Sequence, residues 1–64
     1  MKSYSSKEII NLLKQDGWFL KNSVGSHQQF AHPEKKGKVT VPHPKKDLPI
    51  KTVKSIAAQA GIVL

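Results

Sequence analysis

No cysteine occurs among these 64 residues, and that absence limits the possible folds more than any motif does. A chain this short buries only ~60% of the surface its unfolded form exposes. With neither a disulfide staple nor a thiolate zinc site to compensate, stability must come from helix and sheet packing. One thin-cored domain spanning residues 1–64 is expected, without a deep cavity for a cofactor. No apolar run approaches the ~20 residues of a membrane span, and Met1-Lys2-Ser3-Tyr4 lacks the apolar region of a signal peptide. A soluble, cytoplasmic chain is the expectation, and the lack of disulfides fits it.

The pattern along the chain supplies the packing elements. Ser5-Ser6-Lys7-Glu8 fits a capping box, Ile9, Ile10, Leu12 and Leu13 form an apolar stripe, and Gly17 supplies a left-handed stop, so a first helix is predicted over about Ser6 to Asp16. Trp18 to Asn22 is rich in strand formers, Ser23-Val24-Gly25 reads as a turn, and Ser26 to His32 reads as a second strand. If Phe30 points inward, the period of two sends Gln28 and His32 with it and leaves His27, Gln29 and Ala31 on the opposite face. After a turn at Pro33 to Gly37, Lys38 to Pro42 is a third strand with Val39 and Val41 inward and Thr40 outward. His43 to Leu48 is too rich in proline and charge for regular structure. Pro49 suits the first turn of a second helix, whose Ile50, Val53, Ile56, Ala57 and Ala60 keep helical spacing up to Gly61. The fold expected is α+β in the order α-β-β-β-α, a three-stranded antiparallel sheet with both helices on one face. Double-stranded-RNA-binding domains have that arrangement, so the topology is compatible with an RNA ligand.

Eleven lysines and no arginine face only Glu8, Asp16, Glu34 and Asp47, a net charge of +7. A surplus this large on so small a domain suggests a polyanionic partner, nucleic acid or an acidic protein. Lysine meets phosphate as a mobile point charge, and the missing arginine fork is what usually reads guanine edges, so backbone binding is expected over sequence reading. Lys45, Lys46, Lys51 and Lys54 cluster around the start of the second helix, where the macrodipole favours anions.

Chemistry is expected at Gly25-Ser26-His27. RNA is cut without metal when a base takes the proton of the 2′-hydroxyl and an acid protonates the leaving oxygen, and imidazole suits either task. Gly25 admits positive φ and close approach of a backbone, and Ser26 offers a hydroxyl or amide hydrogen to a phosphate oxygen. Lys21 and Lys38 on the flanking strands are placed to neutralise charge on the phosphorane, and Gln29 and Thr40 to position sugar or phosphate. On the residues alone, a lone histidine at the start of a strand is more often an exposed or satisfied structural residue than a catalytic one, and in a non-catalytic RNA-binding module His27 would only stack or hydrogen-bond. A DNA reader using the second helix is weaker, because that helix offers few asparagine, glutamine or arginine side chains. His43, between two prolines, is read as a turn residue before a second proton-transfer group, and His32 as a partly exposed edge residue. Three separated histidines without cysteine make a poor zinc site, and no metal is assigned.

Gly17-Trp18 after an amphipathic helix, Gly25-Ser26-His27 with Phe30, Val39-Thr40-Val41-Pro42, and a last helix closing in Ala60-Gly61 resemble, in order, the landmarks of the HicA toxin family over nearly the whole chain. The resemblance implies a messenger-RNA interferase, the toxin of a type II toxin–antitoxin pair, held inactive by a HicB antitoxin that covers its active face. It implies catalysis by His27, with the preceding glycine's role falling to Gly25, and needs no cofactor.

Overall fold

The computed structural model describes residues 3–63. Its elements are α1 (Ser6–Gln15), β1 (Phe19–Val24), β2 (His27–Ala31), β3 (Val39–Pro42) and α2 (Ile50–Ala60). The strands make one antiparallel sheet in the order β1-β2-β3, and both helices pack on β3. The α-β-β-β-α reading of the sequence therefore holds.

The two ends of α1 are set by local chemistry. Ser5 Oγ accepts the Glu8 N–H and Glu8 Oε1 accepts the Ser5 N–H, each at 3.2 Å, completing the capping box. At the other end Gly17 N–H donates to the Lys14 carbonyl and Trp18 N–H to the Leu13 carbonyl, with Gly17 at φ +102°. These are the two bonds of a Schellman stop. Asp16 is thus the cap, one residue beyond the helix. The motif also folds Trp18 back among the core side chains with Leu13, so Trp18 precedes β1 instead of starting it. The same pair of bonds, Gly61 to Ala58 and Ile62 to Ala57, closes α2. Pro49 stands just before that helix as its N-cap, not in its first turn.

The β1–β2 connection is tighter than the sequence suggested. Ser23 and Val24 belong to β1, Val24 pairs directly with His27, and Gly25-Ser26 alone forms the turn. Gly25 has φ +58°, and among the described residues no non-glycine has positive φ. A positive first and negative second residue is the signature of a type II′ hairpin, for which Gly-Ser is a favoured pair. β2 consequently starts at His27 and ends at Ala31, and β3 starts at Val39, each shorter than expected.

Phe30, Val39 and Val41 meet Ile9, Ile10 and Leu13 of α1 and Val53, Ile56 and Ala60 of α2 in one buried cluster. β1 lies outside it, with all six residues exposed. The segment after β3 is not irregular in effect, because it is stitched to the N-terminus. Leu48 N–H donates to the Tyr4 carbonyl and Ser6 N–H to the Lys45 carbonyl, with an isolated bridge between Tyr4 and Leu48.

His32 is partly exposed, as expected, but it is tied into the structure rather than free at an edge. Its Nδ1 lies 3.0 Å from the amides of both Glu34 and Lys35, and its Nε2 lies 2.8 Å from the Asp16 carbonyl. Nδ1 must accept from those amides, so the proton sits on Nε2 and is donated to Asp16. The ring also stands edge-on to Trp18, with centroids 5.2 Å apart. Lys35 completes the knot by binding the Asp16 carboxylate and the Ala60 carbonyl, while Trp18 Nε1–H donates to the same carboxylate. The end of α1, the turn after β2 and the end of α2 are thereby tied together.

A Cβ on Gly17 would stand 2.8 Å from His32 Nε2 in a backbone already at φ +102°, whereas one on Gly25 meets nothing within 4 Å. Gly25→Ala should cost about 1 kcal/mol of unfolding free energy, the strain of the left-handed backbone alone. Gly17→Ala should cost about 2–3 kcal/mol, because strain is joined by loss of the imidazole bond. Equal losses in urea titration would contradict this placement of His32. The Lys35 hydrogen bond and charge hold the Asp16 carboxyl below its usual range. A folded pKa below the unfolded one gives stability that is fully present above the unfolded carboxylate value of about 3.9 and is lost as pH falls through the folded value. The Tm gap between wild type and Lys35→Gln should therefore be widest near neutrality and narrow below about pH 4. A gap constant down to pH 2 would contradict the pairing.

Candidate functional site

Burial of Phe30 sets the face on which every neighbouring strand residue lies. His27 is exposed on the side away from the helices, level with Val24 of β1 and Pro42 of β3. The next row on that face is Asn22, Gln29 and Thr40. Lys21 has no partner in the ladder, since the register shifts between Leu20 and Asn22. It is the extra residue of a bulge, a device that re-aims a side chain beside a site. The open face therefore carries an imidazole, amides from Asn22 and Gln29 and a hydroxyl from Thr40, with Lys21 at its β1 border.

The turn behind His27 is anchored. His43 N–H donates to the Ser26 carbonyl at 2.7 Å, continuing the β2–β3 ladder by one pair past Pro42. Strand alternation puts the His43 side chain on the helix side, where Nδ1 lies 2.7 Å from Ser6 Oγ. Ser6 is buried at the start of α1, and its Oγ also accepts the Lys45 N–H at 2.9 Å and donates to the Lys45 carbonyl at 3.2 Å. All three contacts are made at once only when His43 Nδ1 carries a proton and donates to Ser6. The reading of His43 as a turn residue fits this geometry. Sequence reasoning missed Ser6, whose burial follows from its place at the first turn of α1 against the loop after β3.

The three histidines thus differ in kind. His32 and His43 are each held by side-chain hydrogen bonds to the protein, while His27 has none among the described residues.

Three of the lysines expected around the start of α2 line two different depressions. Lys45 and Lys46 line a depression of about 490 Å³ with Lys7 and Ser5, beside the start of α1. Lys51 lines a groove of about 330 Å³ between β3 and α2, together with Lys38, Thr40, Thr52, Ser55 and Gln59. Lys54 is exposed on α2 and lines neither. Lys38 and Thr40 therefore share a groove with Lys51, and Lys45 and Lys46 line the other depression. The α2 contribution had a signal in the sequence: Thr52, Ser55 and Gln59 repeat at i, i+3 and i+7, one residue out of step with the buried Val53, Ile56 and Ala60.

Comparison with known proteins agrees with this architecture. The family described as HicA toxin of bacterial toxin–antitoxin matches residues 6–62. A solved structure titled "HicA3 and HicB3 toxin-antitoxin complex" contains a chain similar to this one at 28% identity and TM-score 0.82, covering 95% of this chain and 98% of that one. No match is found among curated proteins.

Ser6→Ala is the variant that tests the anchoring of the turn. It leaves the Lys45 amide and His43 Nδ1 without their common partner in a part-buried setting, which should cost about 1–3 kcal/mol. In chemical-shift mapping the disturbance should reach Ser26 and His27 through the His43 amide. Shifts confined to α1 would show that Ser6 does not support the turn.

Proposed function

The chain belongs to the HicA toxin family, toxins of type II toxin–antitoxin systems, and from that premise we propose that it is a metal-independent endoribonuclease whose proton-transferring group is His27. The observation that carries the reading is the state of the three histidines. Catalysis needs an imidazole that can gain and lose a proton without breaking the fold, and His27 alone among them is unencumbered and solvent-facing.

The chemistry is transesterification within the substrate. The 2′-oxygen attacks the adjacent phosphorus as its proton departs, and the bond to the 5′-oxygen breaks as that oxygen gains a proton. The products are a 2′,3′-cyclic phosphate and a 5′-hydroxyl. His27 performs one of these proton transfers. The type II′ turn holds Gly25 and Ser26 directly before it, and in this reading the Ser26 hydroxyl and amide serve as donors for a non-bridging phosphate oxygen. Gln29 and Thr40, paired across β2 and β3, offer amide and hydroxyl to the sugar-phosphate one row further along. Lys21 and Lys38 add positive charge at the two borders of the face, and Lys45, Lys46, Lys51 and Lys54 supply long-range attraction. The substrate class is messenger RNA, and inhibition of translation is the consequence.

The partner is a HicB-type antitoxin, a reading supported by the similarity to the chain of the HicA3–HicB3 complex. A surface with net charge +7 favours fast, salt-sensitive association with an acidic protein.

Purified His27→Ala should keep the wild-type melting temperature, since the side chain makes no core contact, and should cleave RNA at least about a hundredfold more slowly. Wild-type cleavage should persist in excess EDTA, and an all-DNA strand should be bound but not cut, because the nucleophile is the substrate's own hydroxyl. Undiminished cleavage by folded His27→Ala protein would sink the assignment. RNA binding without cleavage by the wild type would favour the non-catalytic module.

A further inference from the structure

We infer that the groove between the free edge of β3 and α2 is a subsite for the sugar-phosphate of a nucleotide flanking the cleaved bond. The inference rests on the ribonuclease reading and extends it from a catalytic face to a strand-binding path.

Chemistry at the groove is one-sided. Two lysines, Lys38 and Lys51, stand beside a wall of α2 in which Thr52, Ser55 and Gln59 flank Ile56, and none of Glu8, Asp16, Glu34 or Asp47 lines it. Hydroxyl, amide and ammonium donors with no carboxylate suit an anion that carries hydroxyl groups as well. A ribose phosphate is such a ligand.

The backbone adds a donor that the sequence alone does not reveal. In an antiparallel ladder, hydrogen-bonded and non-hydrogen-bonded pairs alternate. The bond from His43 N–H to the Ser26 carbonyl fixes the phase, making Gln28–Val41 and Phe30–Val39 the bonded pairs. Thr40 then turns its own N–H and C=O away from β2, toward the edge beside the groove it lines. Pro42, the next residue in that phase, has no N–H to offer. An incoming protein strand needs a regular row of donors and acceptors, and a proline on the edge denies it one. The edge is therefore poor for strand addition, while a single outward amide next to two lysines is a good phosphate donor.

The groove also lies at a useful distance from His27. Thr40 pairs with Gln29, two residues along β2 from His27 and one strand across. At ~3.3 Å per residue and ~4.8 Å between strands the separation is about 8 Å, within reach of the neighbouring nucleotides of one RNA strand. Thr40 belongs to both places, facing the open side of the sheet and lining the groove, so a strand leaving the imidazole passes it on the way to α2.

The test uses Ser55→Glu, which puts a carboxylate in the groove at an exposed position of α2 where glutamate is a good helix former. His27→Ala serves as the background, so that RNA survives during titration. Binding of a fluorescent mixed-sequence RNA dodecamer and of the dinucleotide UpU is measured for His27→Ala, for His27→Ala with Ser55→Glu, and for His27→Ala with Lys14→Gln. The last alters the charge by the same unit at an exposed α1 position outside the groove. The gain in affinity from dinucleotide to dodecamer should shrink about tenfold with Ser55→Glu and be retained with Lys14→Gln. Thr52→Glu, one turn earlier on the same wall, should repeat the effect if Ser55→Glu folds poorly. An unchanged gain in both groove variants overturns the subsite, as does a loss shared equally by Lys14→Gln. Loss of antitoxin binding with the RNA gain intact would assign the groove to the protein partner and likewise overturn it. Because these are binding measurements without turnover, they stand apart from the cleavage assay that judges His27.

Discussion

Phe30 is 1% exposed at the centre of the sheet, wedged between the two helices and β3. Burying such a ring is worth roughly 1.5–3 kcal/mol in a chain with no disulfide to lean on. A strand has a side-chain period of two, so seating Phe30 inward forces His27, three positions earlier, outward. The same constraint passes through the ladder: Val39 and Val41 go in with Phe30, while Thr40 and Pro42 come out beside Gln29 and His27. A register slip of one residue would bury the imidazole and expose the core, so the hydrophobic packing and the placing of the proposed catalytic group are one decision.

Around that decision the protein uses its three histidines in different ways. His32 locks the end of α1 to the turn after β2, accepting two backbone amides and donating to a carbonyl. His43 fastens the far end of the hairpin, through its amide to Ser26 and its ring to buried Ser6. Both contribute to rigidity, and both would lose hydrogen bonds on moving. His27 sits on a two-residue turn stiffened from behind and makes no such commitment. A rigid support under a free imidazole is the arrangement that proton transfer to a bound substrate requires, because a reacting group held in place has already lost its orientational entropy.

Much of this was legible in the residues. The capping box, the apolar stripes and the period-two pattern fixed the order of elements and the outward face of His27. The parts that were not legible are those that depend on long-range contacts. Ser23 and Val24 look like turn residues, because nothing local says that the chain reverses in Gly25-Ser26 alone; only the pairing of Val24 with His27 decides it. His32 looked like an edge residue, since its partners Asp16 and Lys35 come from a helix end and a loop. Gly17 reads locally as a helix stop, and its second role, leaving room for the His32 ring, appears only in three dimensions. Which depression each lysine lines was not legible either: the link from the loop to the N-terminus sets Lys45 and Lys46 beside the start of α1, while Lys51 lines the groove next to β3. The polar stripe Thr52, Ser55 and Gln59 was readable by helical spacing, yet only the neighbouring edge of β3 gives it a purpose.

In the proposed reaction the free imidazole of His27 on the open face carries the proton transfer. The most direct test compares two titrations of one protein: the ring signals of His27, His32 and His43 followed by NMR across pH, and kcat/KM for RNA cleavage over the same range. The kcat/KM profile reports ionisations of the free enzyme, so its inflection should coincide with the titration of the His27 ring. A rate that stays flat while the His27 ring titrates, or that follows His32 or His43 instead, would contradict the account.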